Sequence, residues 1–363
     1  MKITHFQTQI VKLPADEPLS GGPVTPGTTR EMVTLRIGTD AGIEGIGYTF
    51  FGAALTGALK QAVDALGNLA IGEDPLRTEA IAAKLRTAAA GSGPGGILTL
   101  AISAIDIALW DIRGKALNLP LWQMIGGSRE RVPTYASGAL MRTFPLDHLV
   151  KAAPRLVEKG FRQMKTQLAL PGDTSPALEV ERIRKVRESI GPGIDLMCDI
   201  NQRWRVEQAI DIGTRIEDVR LYWLEDVTIA DDFQGLARVS DALATPVAGG
   251  EYLYGPAPFR QMMEARSVDI VMIDLMRAGG ITQWLKIAGM AEAWNLPVMS
   301  HLVPEIHVHL IAAIPNGLTV EYMPWTFKLF EEVPVPVKGE LTVPRKPGIG
   351  LKFDAAALKR YSA

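Results

Sequence analysis

The sequence predicts an α/β protein in which a parallel (β/α)7β barrel is capped by a smaller α+β domain. The chain has 363 residues, which suits a barrel of roughly 200 to 250 residues together with a second domain. After residue 130, short apolar runs alternate with helical stretches at the spacing of βα units. We therefore expect a capping domain over 1–128, a barrel over 129–328 and a C-terminal segment, 329–363, that packs back on the capping domain.

The N-terminal part of the chain has the patterns of a small α+β domain. Residues 3 to 12 and 31 to 48 alternate apolar with polar side chains, which predicts strands. Between them, residues 17 to 30 have the Gly, Pro, Ser and Thr content of a loop. Its polar side chains, Arg30 among them, are expected to hydrogen-bond a substrate that carries several hydroxyl groups. From about residue 53 to 127 the apolar residues recur with the period of a helix.

The barrel is predicted from apolar runs that occur at regular intervals after residue 130. The stretches between them have helical patterns, for example 175 to 191 and 206 to 218. The last segment, from about residue 330, is again rich in Pro and Gly. The predicted barrel strands lie in VPTYASG, GFRQMKTQL, IDLMCDIN, LYWLEDV, PVAGGEYL, VDIVMIDLM, LPVMSHLV and LTVEYM.

Composition and charge exclude several classes of function. Lys and Arg total 38 against 40 Asp and Glu, so electrostatics give no reason to expect a nucleic acid or an anionic membrane as partner. The single cysteine, Cys198, cannot form an internal disulfide. The N-terminus lacks the apolar core of a signal peptide, and no apolar run reaches membrane-spanning length. We expect a cytoplasmic protein, in which His307 and His309, within an apolar run, are structural.

Three acidic residues stand at the ends of consecutive predicted strands, where barrel enzymes place their chemistry. Asp199, Glu225 and Glu251 are separated by 26 residues each, so three βα units would present one carboxylate each at the same height. Such carboxylates repel by about 4 kcal/mol per close pair at an effective dielectric near 20, so the cluster needs a cation or protons. One such acid alone would more often cap a helix. Hard oxygen ligands favour Mg²⁺, and three of them leave room for a substrate carboxylate and water.

At these motifs the sequence resembles the mandelate racemase and muconate lactonizing branch of the enolase superfamily, over nearly the whole chain. The segment 103–127, SAIDIALWDIRGKALNLPLWQMIGG, is similar to the first signature of the family. LMCDINQRWRVEQAI followed by YWLEDV is similar to the second, with Glu225, Asp226 and Val227 in place of the usual Glu-Glu-Pro. The resemblance implies a modified TIM barrel with Mg²⁺ as cofactor, and we also expect a homo-oligomer. It extends over GFRQMKTQ, PVAGGEYL, IDLMRAGGIT, MSHLVPEIHVHL and LTVEYM.

The resemblance also implies roles for individual residues. The three acids described above are similar to the metal ligands of the family. Asp274 and His301 resemble its catalytic dyad, in which the Asp orients the His that serves as general base. Glu321 matches an acid that hydrogen-bonds a substrate carboxylate oxygen, and we expect it to be protonated. Lys165 matches the first Lys of a Lys-x-Lys pair and is expected to stabilise negative charge.

Gln167 departs from the family pattern, because it occupies the second position of the Lys-x-Lys pair. Glutamine neither accepts nor delivers a proton at neutral pH. A racemase needs an acid/base group on each face of its planar intermediate, so this change disfavours racemisation and leaves His301 as the strong candidate base. Gln167 is expected to contact the substrate, as are Asn201 and Arg203, which lie just beyond a predicted metal ligand.

Together these residues predict the magnesium-dependent removal of the proton next to a substrate carboxylate. The favoured reaction is the dehydration of an acid sugar, an aldonate or aldarate, to a 2-keto-3-deoxy acid. A cycloisomerase that acts on a sugar-acid lactone or an anhydro sugar acid needs the same single base and stays open. A racemase or epimerase, and a member that binds magnesium and an acid without catalysis, are further alternatives.

Overall fold

The computed structural model describes residues 1–16, 19, 27–170 and 175–363, and its strands form two separate sheets. One is a small antiparallel sheet from the N-terminal part, and the other is the sheet of the barrel. Most of the predicted loop at 17 to 30 lies outside the described residues. Among the helices of the described residues, none is long and apolar enough to cross a membrane.

The N-terminal sheet has three antiparallel strands, which the alternating apolar residues predicted. β1 (Ile3–Pro14) pairs with β2 (Thr29–Thr39), and β2 pairs with β3 (Glu44–Thr49). The helical pattern that follows forms four helices. These are α1 (Thr56–Ala70), α2 (Thr78–Ala88), α3 (Gly96–Leu117) and α4 (Leu121–Met124).

Helix α3 joins the N-terminal sheet to the barrel and is buried on all sides along most of its length. On one side it packs closely on β3, where a Cβ added at Gly45 or Gly47 would collide with a backbone carbonyl oxygen of the helix. On the other side the Trp110 indole donates a hydrogen bond of 2.9 Å to the Thr282 hydroxyl of the barrel. A helix that contacts apolar surfaces on both sides needs an apolar sequence all round, which this one has.

The described barrel strands run parallel, and each site-bearing strand is short. Consecutive strands are hydrogen-bonded from β4 to β10, and β11 pairs with β4. Between β10 and β11 the Leu318 amide donates to the Val298 carbonyl at 2.7 Å, which brings the two edges together. The strands are β4 (Arg131–Leu140), β5 (Gln163–Gln167), β6 (Asp195–Asp199), β7 (Trp223–Glu225), β8 (Val247–Gly249), β9 (Ile270–Asp274), β10 (Val298–His301) and β11 (Val320–Tyr322).

Helices alternate with these strands on the outside of the barrel. Between consecutive strands at least one helix intervenes, so the order is (β/α)7β and the predicted modified TIM barrel with a capping domain is confirmed. The helices are α5 (Leu146–Glu158), α6 (Pro176–Ile190), α7 (Val206–Arg215), α8 (Phe233–Ala242), α9 (Pro256–Glu264), α10 (Leu275–Ala278), α11 (Ile281–Ala293) and α12 (Pro304–Ala313).

Apolar side chains fill the barrel beneath its carboxyl end. A separate buried cluster there includes Met197, Trp223, Met272 and Met299. Side chains two residues apart on a strand point the same way, so each of these apolar residues lies one layer below an ionisable one. The pairs are Met197 with Asp199, Trp223 with Glu225, Met272 with Asp274, and Met299 with His301.

The C-terminal segment returns to the N-terminal sheet. After β12 (Glu340–Thr342), which pairs antiparallel with β4, the chain ends in α13 (Ala355–Arg360). The Lys12 amide donates to the Tyr361 carbonyl at 2.8 Å, and the Ala363 amide donates to the Ile10 carbonyl at 3.1 Å. The domain boundaries near residues 128 and 328 stay predictions.

Candidate active site

A cavity of about 280 Å³ lies at the carboxyl ends of the barrel strands. Two predicted site residues, Glu225 and Asp274, are fully buried beside it. Phe51 of the N-terminal domain and Trp325, which follows β11, form part of its wall. The predicted residues that line this cavity are Lys165, Gln167, Asn201, Asp199, Glu251, His301 and Glu321.

Lys165 lies at the centre of the buried acids. Its ammonium group hydrogen-bonds Glu225 and lies 2.9 Å from Oε1 of Glu321. Oδ2 of Asp199 is 4.0 Å away. Burial alone would lower the pKa of Lys165, but these carboxylates raise it well above its ordinary value, so the side chain is charged. The parallel register produces this arrangement, because Asp199 is paired with Glu225 across two neighbouring strands.

The three acids whose oxygens lie closest together are not the three predicted metal ligands, because Asp226 takes the place of Asp199. Among the described residues, Glu225, Asp226 and Glu251 each offer an oxygen, and these oxygens all lie within 4.8 Å of one another. Asp199 faces Lys165 instead, and its Oδ1 accepts a hydrogen bond of 2.8 Å from the Asn201 amide. The sequence reasoning missed Asp226, although it directly follows a predicted ligand.

The charges at this end of the barrel suit a divalent cation. Burial raises the pKa of Glu225 to about 8, opposed by Lys165 and reinforced by the neighbouring carboxylates. Burial likewise raises the pKa of Asp199. A hard cation bound by these oxygens would remove the cost of crowding ionised acids, and the donors contain neither sulfur nor nitrogen, which fits Mg²⁺. The buried acids are Asp199, Glu225, Asp226, Glu251, Asp274 and Glu321.

His301 and Asp274 form the predicted pair. Nδ1 of His301 lies 2.7 Å from Oδ2 of Asp274, and the other ring nitrogen, Nε2, lies 3.1 Å from Oε2 of Glu251. Oδ1 of Asp274 accepts a hydrogen bond of 2.7 Å from the Arg277 amide, which fixes the carboxylate. Burial would lower the pKa of His301, but Glu251 and Asp274 outweigh it and raise the pKa to about 9. The Asp thus fixes the orientation of the ring.

Glu321 is ionised in this structure, in contrast to the expected protonated acid. Its Oε2 accepts a hydrogen bond of 2.6 Å from the Leu302 amide, and Lys165 lies at Oε1. Burial would raise the pKa of Glu321, but the charges of Lys165 and His301 lower it to about 2. The sequence could not indicate this, because it depends on which cation faces the carboxylate.

Arg277 is a site residue that the sequence did not predict, and it contacts Phe51 in the cavity wall. The Arg277 guanidinium lies 4.0 Å from the centre of the Phe51 ring, and its Nη1 donates to the Glu251 carbonyl at 2.9 Å. Phe51 in turn stacks on His301, with ring centres 6.2 Å apart and an interplanar angle of 9°. Phe51 has a left-handed φ of 71°, so the backbone of the N-terminal domain turns at this residue. The sequence contained a signal for Arg277. It follows the predicted site residue Asp274 by three residues, a spacing that places two residues side by side on a helix.

Asn201 and Arg30, two further residues predicted to bind the substrate, line different cavities. Nδ2 of Asn201 lies 3.3 Å from the Tyr252 hydroxyl at the cavity wall. Arg30 lies outside this cavity and lines a neighbouring one of about 560 Å³ that shares Phe51 and Trp325 with it. Its guanidinium lies 4.0 Å from the Trp325 ring centre.

Arg203 was predicted to bind the substrate, but the structure places it away from the cavity wall. The residue is exposed and is not part of the cavity wall. Asn201 and Gln202, with φ values of 49° and 65°, turn the chain directly after β6, and Arg203 lies beyond that turn. The arrangement gives no support to Arg203 as a substrate-binding residue.

His307 and His309 are buried on α12, outside the cavity. Nδ1 of His307 is 2.7 Å from the Leu302 carbonyl oxygen, and Nε2 of His309 is 3.1 Å from the Ile349 carbonyl oxygen. Burial lowers the pKa of each to about 4, so both are neutral. These contacts agree with the expected structural role.

Comparison with known proteins places the chain among enzymes of related architecture. Residues 148–357 match the family model described as enolase C-terminal domain-like, and residues 8–126 match the N-terminal domain model of mandelate racemase and muconate lactonizing enzyme. L-talarate/galactarate dehydratase from Salmonella typhimurium is 32% identical, over 98% of this chain and 90% of that protein. The 3,6-anhydro-alpha-L-galactonate cycloisomerase from Streptomyces coelicolor is also 32% identical, over 99% of both chains.

A solved structure has the same fold over the whole chain. It is L-talarate dehydratase from Polaromonas sp. JS666, complexed with Mg and L-glucarate. The TM-score is 0.92 at 31% sequence identity, and the match covers 100% of this chain and 97% of that one.

Proposed function

The chain belongs to the mandelate racemase and muconate lactonizing enzyme family of the enolase superfamily, and on that premise we propose that it is a magnesium-dependent acid-sugar dehydratase. The observation that carries the proposal is the contact of 2.7 Å between His301 and Asp274 beside a group of buried carboxylates. Such a pair suits a base, and the carboxylates suit the cation that a substrate carboxylate needs.

The proposed proton transfer begins at His301. Asp274 holds Nδ1, so that Nε2, when the ring is neutral, takes the proton from the carbon next to the substrate carboxylate. Glu251 contributes to the raised pKa of His301, and a cation bound by Glu251 would offset that charge and favour the neutral ring. Asp199, Glu225 and Glu251 would hold Mg²⁺, which supplies positive charge for the substrate carboxylate. Fixed charges of this kind usually make the largest contribution to such catalysis.

Lys165 and Glu321 would act on the carboxylate end of the substrate. The Lys165 ammonium is buried, charged and part of the cavity wall, so it can stabilise the negative charge that develops on the carboxylate oxygens. Glu321 holds Lys165 in place at 2.9 Å. For Glu321 itself to donate a hydrogen bond, it would have to take up a proton when the substrate binds.

The second half of the reaction also uses His301. After it has taken the α-proton, the ring is the acid that gives a proton to the departing β-hydroxyl, and water leaves. The resulting enol becomes a 2-keto-3-deoxy acid by tautomerisation. Gln167 lines the cavity but cannot transfer a proton, so one base serves both steps.

The adjoining cavity with Arg30 would take the distal part of the substrate. Phe51 and Trp325 border both cavities, and Arg30 stacks on Trp325. A guanidinium recognises a carboxylate or several hydroxyl groups well. This supports an acid sugar long enough to span both cavities.

A cycloisomerase is the second candidate. The similarity to the Streptomyces coelicolor cycloisomerase is as high as that to the dehydratase. Both reactions begin with the same proton removal by one base. They differ in the leaving group, which is tethered to the substrate in a cycloisomerase.

An NMR screen of acid sugars and their lactones in D₂O with Mg²⁺ tests the proposal. We expect loss of water with one deuterium at C3 of the 2-keto-3-deoxy acid product, and no product with His301→Asn. His309→Gln, a buried histidine outside the cavity, is the control and should keep activity. Product formation by His301→Asn at the wild-type rate would mean that another residue is the base. Deuterium incorporation without loss of water would favour the cycloisomerase.

A further inference from the structure

Asp226 differs from the other acids at the barrel mouth in its local contacts. Its backbone is held by hydrogen bonds, from its amide to the Ala248 carbonyl at 2.9 Å and from the Gln202 amide to its carbonyl at 2.7 Å. Its φ of 44° lies in the left-handed region, which is unusual for a residue other than glycine. Strained backbone of this kind tends to occur where a side chain is directed for function.

The side chain of Asp226 is buried and incompletely paired. It is 2% exposed, and Oδ2 has no hydrogen-bonding partner among the described residues. Asp274, the last residue of β9, is different. Its Oδ1 accepts a hydrogen bond from the Arg277 amide and so caps the N-terminus of α10. Within the described part of the chain, no backbone amide caps a helix through the Asp226 carboxylate, so capping does not explain its burial.

The carboxylate of Asp226 is directed at the predicted ligands. Its oxygen lies within 4.8 Å of oxygens from both Glu225 and Glu251. A Cβ added at Gly249 would lie only 3.1 Å from Oδ1 of Asp226, so the side chain passes close to the strand that leads to Glu251. An unpaired carboxylate oxygen beside two other carboxylates is costly unless a cation is shared among them.

We propose that Asp226 is a further acid of the cation site, whose carboxylate contributes to the binding of a hard divalent cation such as Mg²⁺ or Mn²⁺. The inference rests on the proposed magnesium dependence. It adds a fourth carboxylate to Asp199, Glu225 and Glu251. A further oxygen on an ion, or on a water bound to it, increases affinity and orients the ligands.

Calorimetric titration with Mg²⁺, and Mn²⁺ titration followed by the electron paramagnetic resonance of the free ion, test this without any substrate. Asp226→Asn keeps the shape and tolerates a left-handed φ, but it removes the charge. We expect its Kd for both ions to rise about 10- to 100-fold. Asp226→Glu, which keeps the charge, should bind more tightly than Asp226→Asn. Glu251→Gln serves as the reference for a lost ligand, and Asp106→Asn, which changes a buried acid that does not line the cavity, should keep the wild-type Kd.

The outcomes separate this inference from the proposed function. If the wild-type protein binds neither ion, both are wrong. If the wild type binds and a folded Asp226→Asn protein has the same Kd, only the role of Asp226 is wrong. Circular dichroism checks the fold of each variant. A crystal structure of the wild-type protein with Mn²⁺ tests the proposal independently: it should place the Asp226 carboxylate on the ion or on one of its waters, and a carboxylate turned away would overturn the proposal.

Discussion

Two regions of this molecule bury carboxylates, and they do so in opposite ways. Around helix α3, the buried acids Asp106 and Asp111 lie apart, and backbone amides, a hydroxyl and one lysine donate hydrogen bonds to them. At the mouth of the barrel, the acids face one another. Burial of an acid therefore does not by itself mark a functional site, whereas the groups that contact the acid do.

The acids of α3 connect distant segments. Asp106 accepts a hydrogen bond of 2.9 Å from the Thr282 amide and another from the Thr282 hydroxyl. Asp111 accepts hydrogen bonds from the Ile46 amide at 2.9 Å and the Ile349 amide at 3.1 Å, and it pairs with the Lys115 ammonium at 2.7 Å. These protein groups satisfy the carboxylates without a bound metal ion, so the acids hold the N-terminal sheet, the barrel and the C-terminal segment together.

The acids of the barrel mouth lack such a set of neutral donors. Glu225 has the Trp223 indole at 2.9 Å, but its other oxygen depends on Lys165. Asp226 and Glu251 bring further negative charge within 4.8 Å. Ionising these crowded acids is costly, and a bound cation would lower that cost, as a metal-dependent enzyme requires.

The largest expected effect separates function from fold at the barrel mouth. His301→Asn should lower kcat/KM by at least about 10³-fold, because the ring that moves the proton is lost. Its melting temperature should stay close to that of the wild type, since the amide can still hydrogen-bond Asp274. Steady-state kinetics with the substrate found by the screen, together with thermal unfolding, measure both. A large loss of stability with little loss of activity would mean that His301 stabilises the fold and is not the base.

The corresponding substitution among the acids of α3 is Asp111→Ala. It leaves the Ile46 and Ile349 amides buried without their acceptor, which should cost about 3 kcal/mol of unfolding free energy or more. Mg²⁺ affinity of the folded protein should be unchanged, because Asp111 does not line the cavity. Urea unfolding and calorimetric titration measure the two quantities. A change in metal affinity comparable to that of Glu251→Gln would show that the two regions are not independent.

Mg²⁺ should stabilise the folded protein through the barrel mouth and not through the acids of α3. At a concentration 100 times its Kd, a ligand that binds only the folded state stabilises that state by about 2.7 kcal/mol. We expect this increment in the wild type and in Asp111→Ala, and its loss on addition of a chelator or in Glu251→Gln. Thermal shift assays measure it. An equal increment in Glu251→Gln would place the bound ion elsewhere.

The smallest expected effect concerns His309, a buried neutral histidine on α12. Burial lowers the pKa of His309 to about 4, so the unfolded chain binds a proton below about pH 6.5 while the folded chain does not. Stability should therefore fall between about pH 6.5 and 4, and this histidine should account for about 2 kcal/mol of the loss between pH 7 and 5. In His309→Gln the same pH change should cost less. Urea unfolding at the two pH values measures the difference, and an unchanged pH dependence would contradict it.

The sequence alone determined the barrel and most of its mouth. Apolar runs at βα spacing set the strands, and the interval of 26 residues put Asp199, Glu225 and Glu251 at equivalent strand ends. These features are readable because strand direction and side-chain alternation are local and periodic. The family resemblance then identified His301 and Asp274, which the structure brings into contact.

Only the tertiary structure decided which other side chains enter this mouth. Asp226 joins two predicted ligands, Phe51 arrives from another domain to stack on His301, and Arg203 is turned to the surface. The ionised state of Glu321 likewise follows from the position of Lys165. These outcomes depend on left-handed turns after the strands and on contacts between segments far apart in the chain, and a linear pattern of apolar and polar residues records neither.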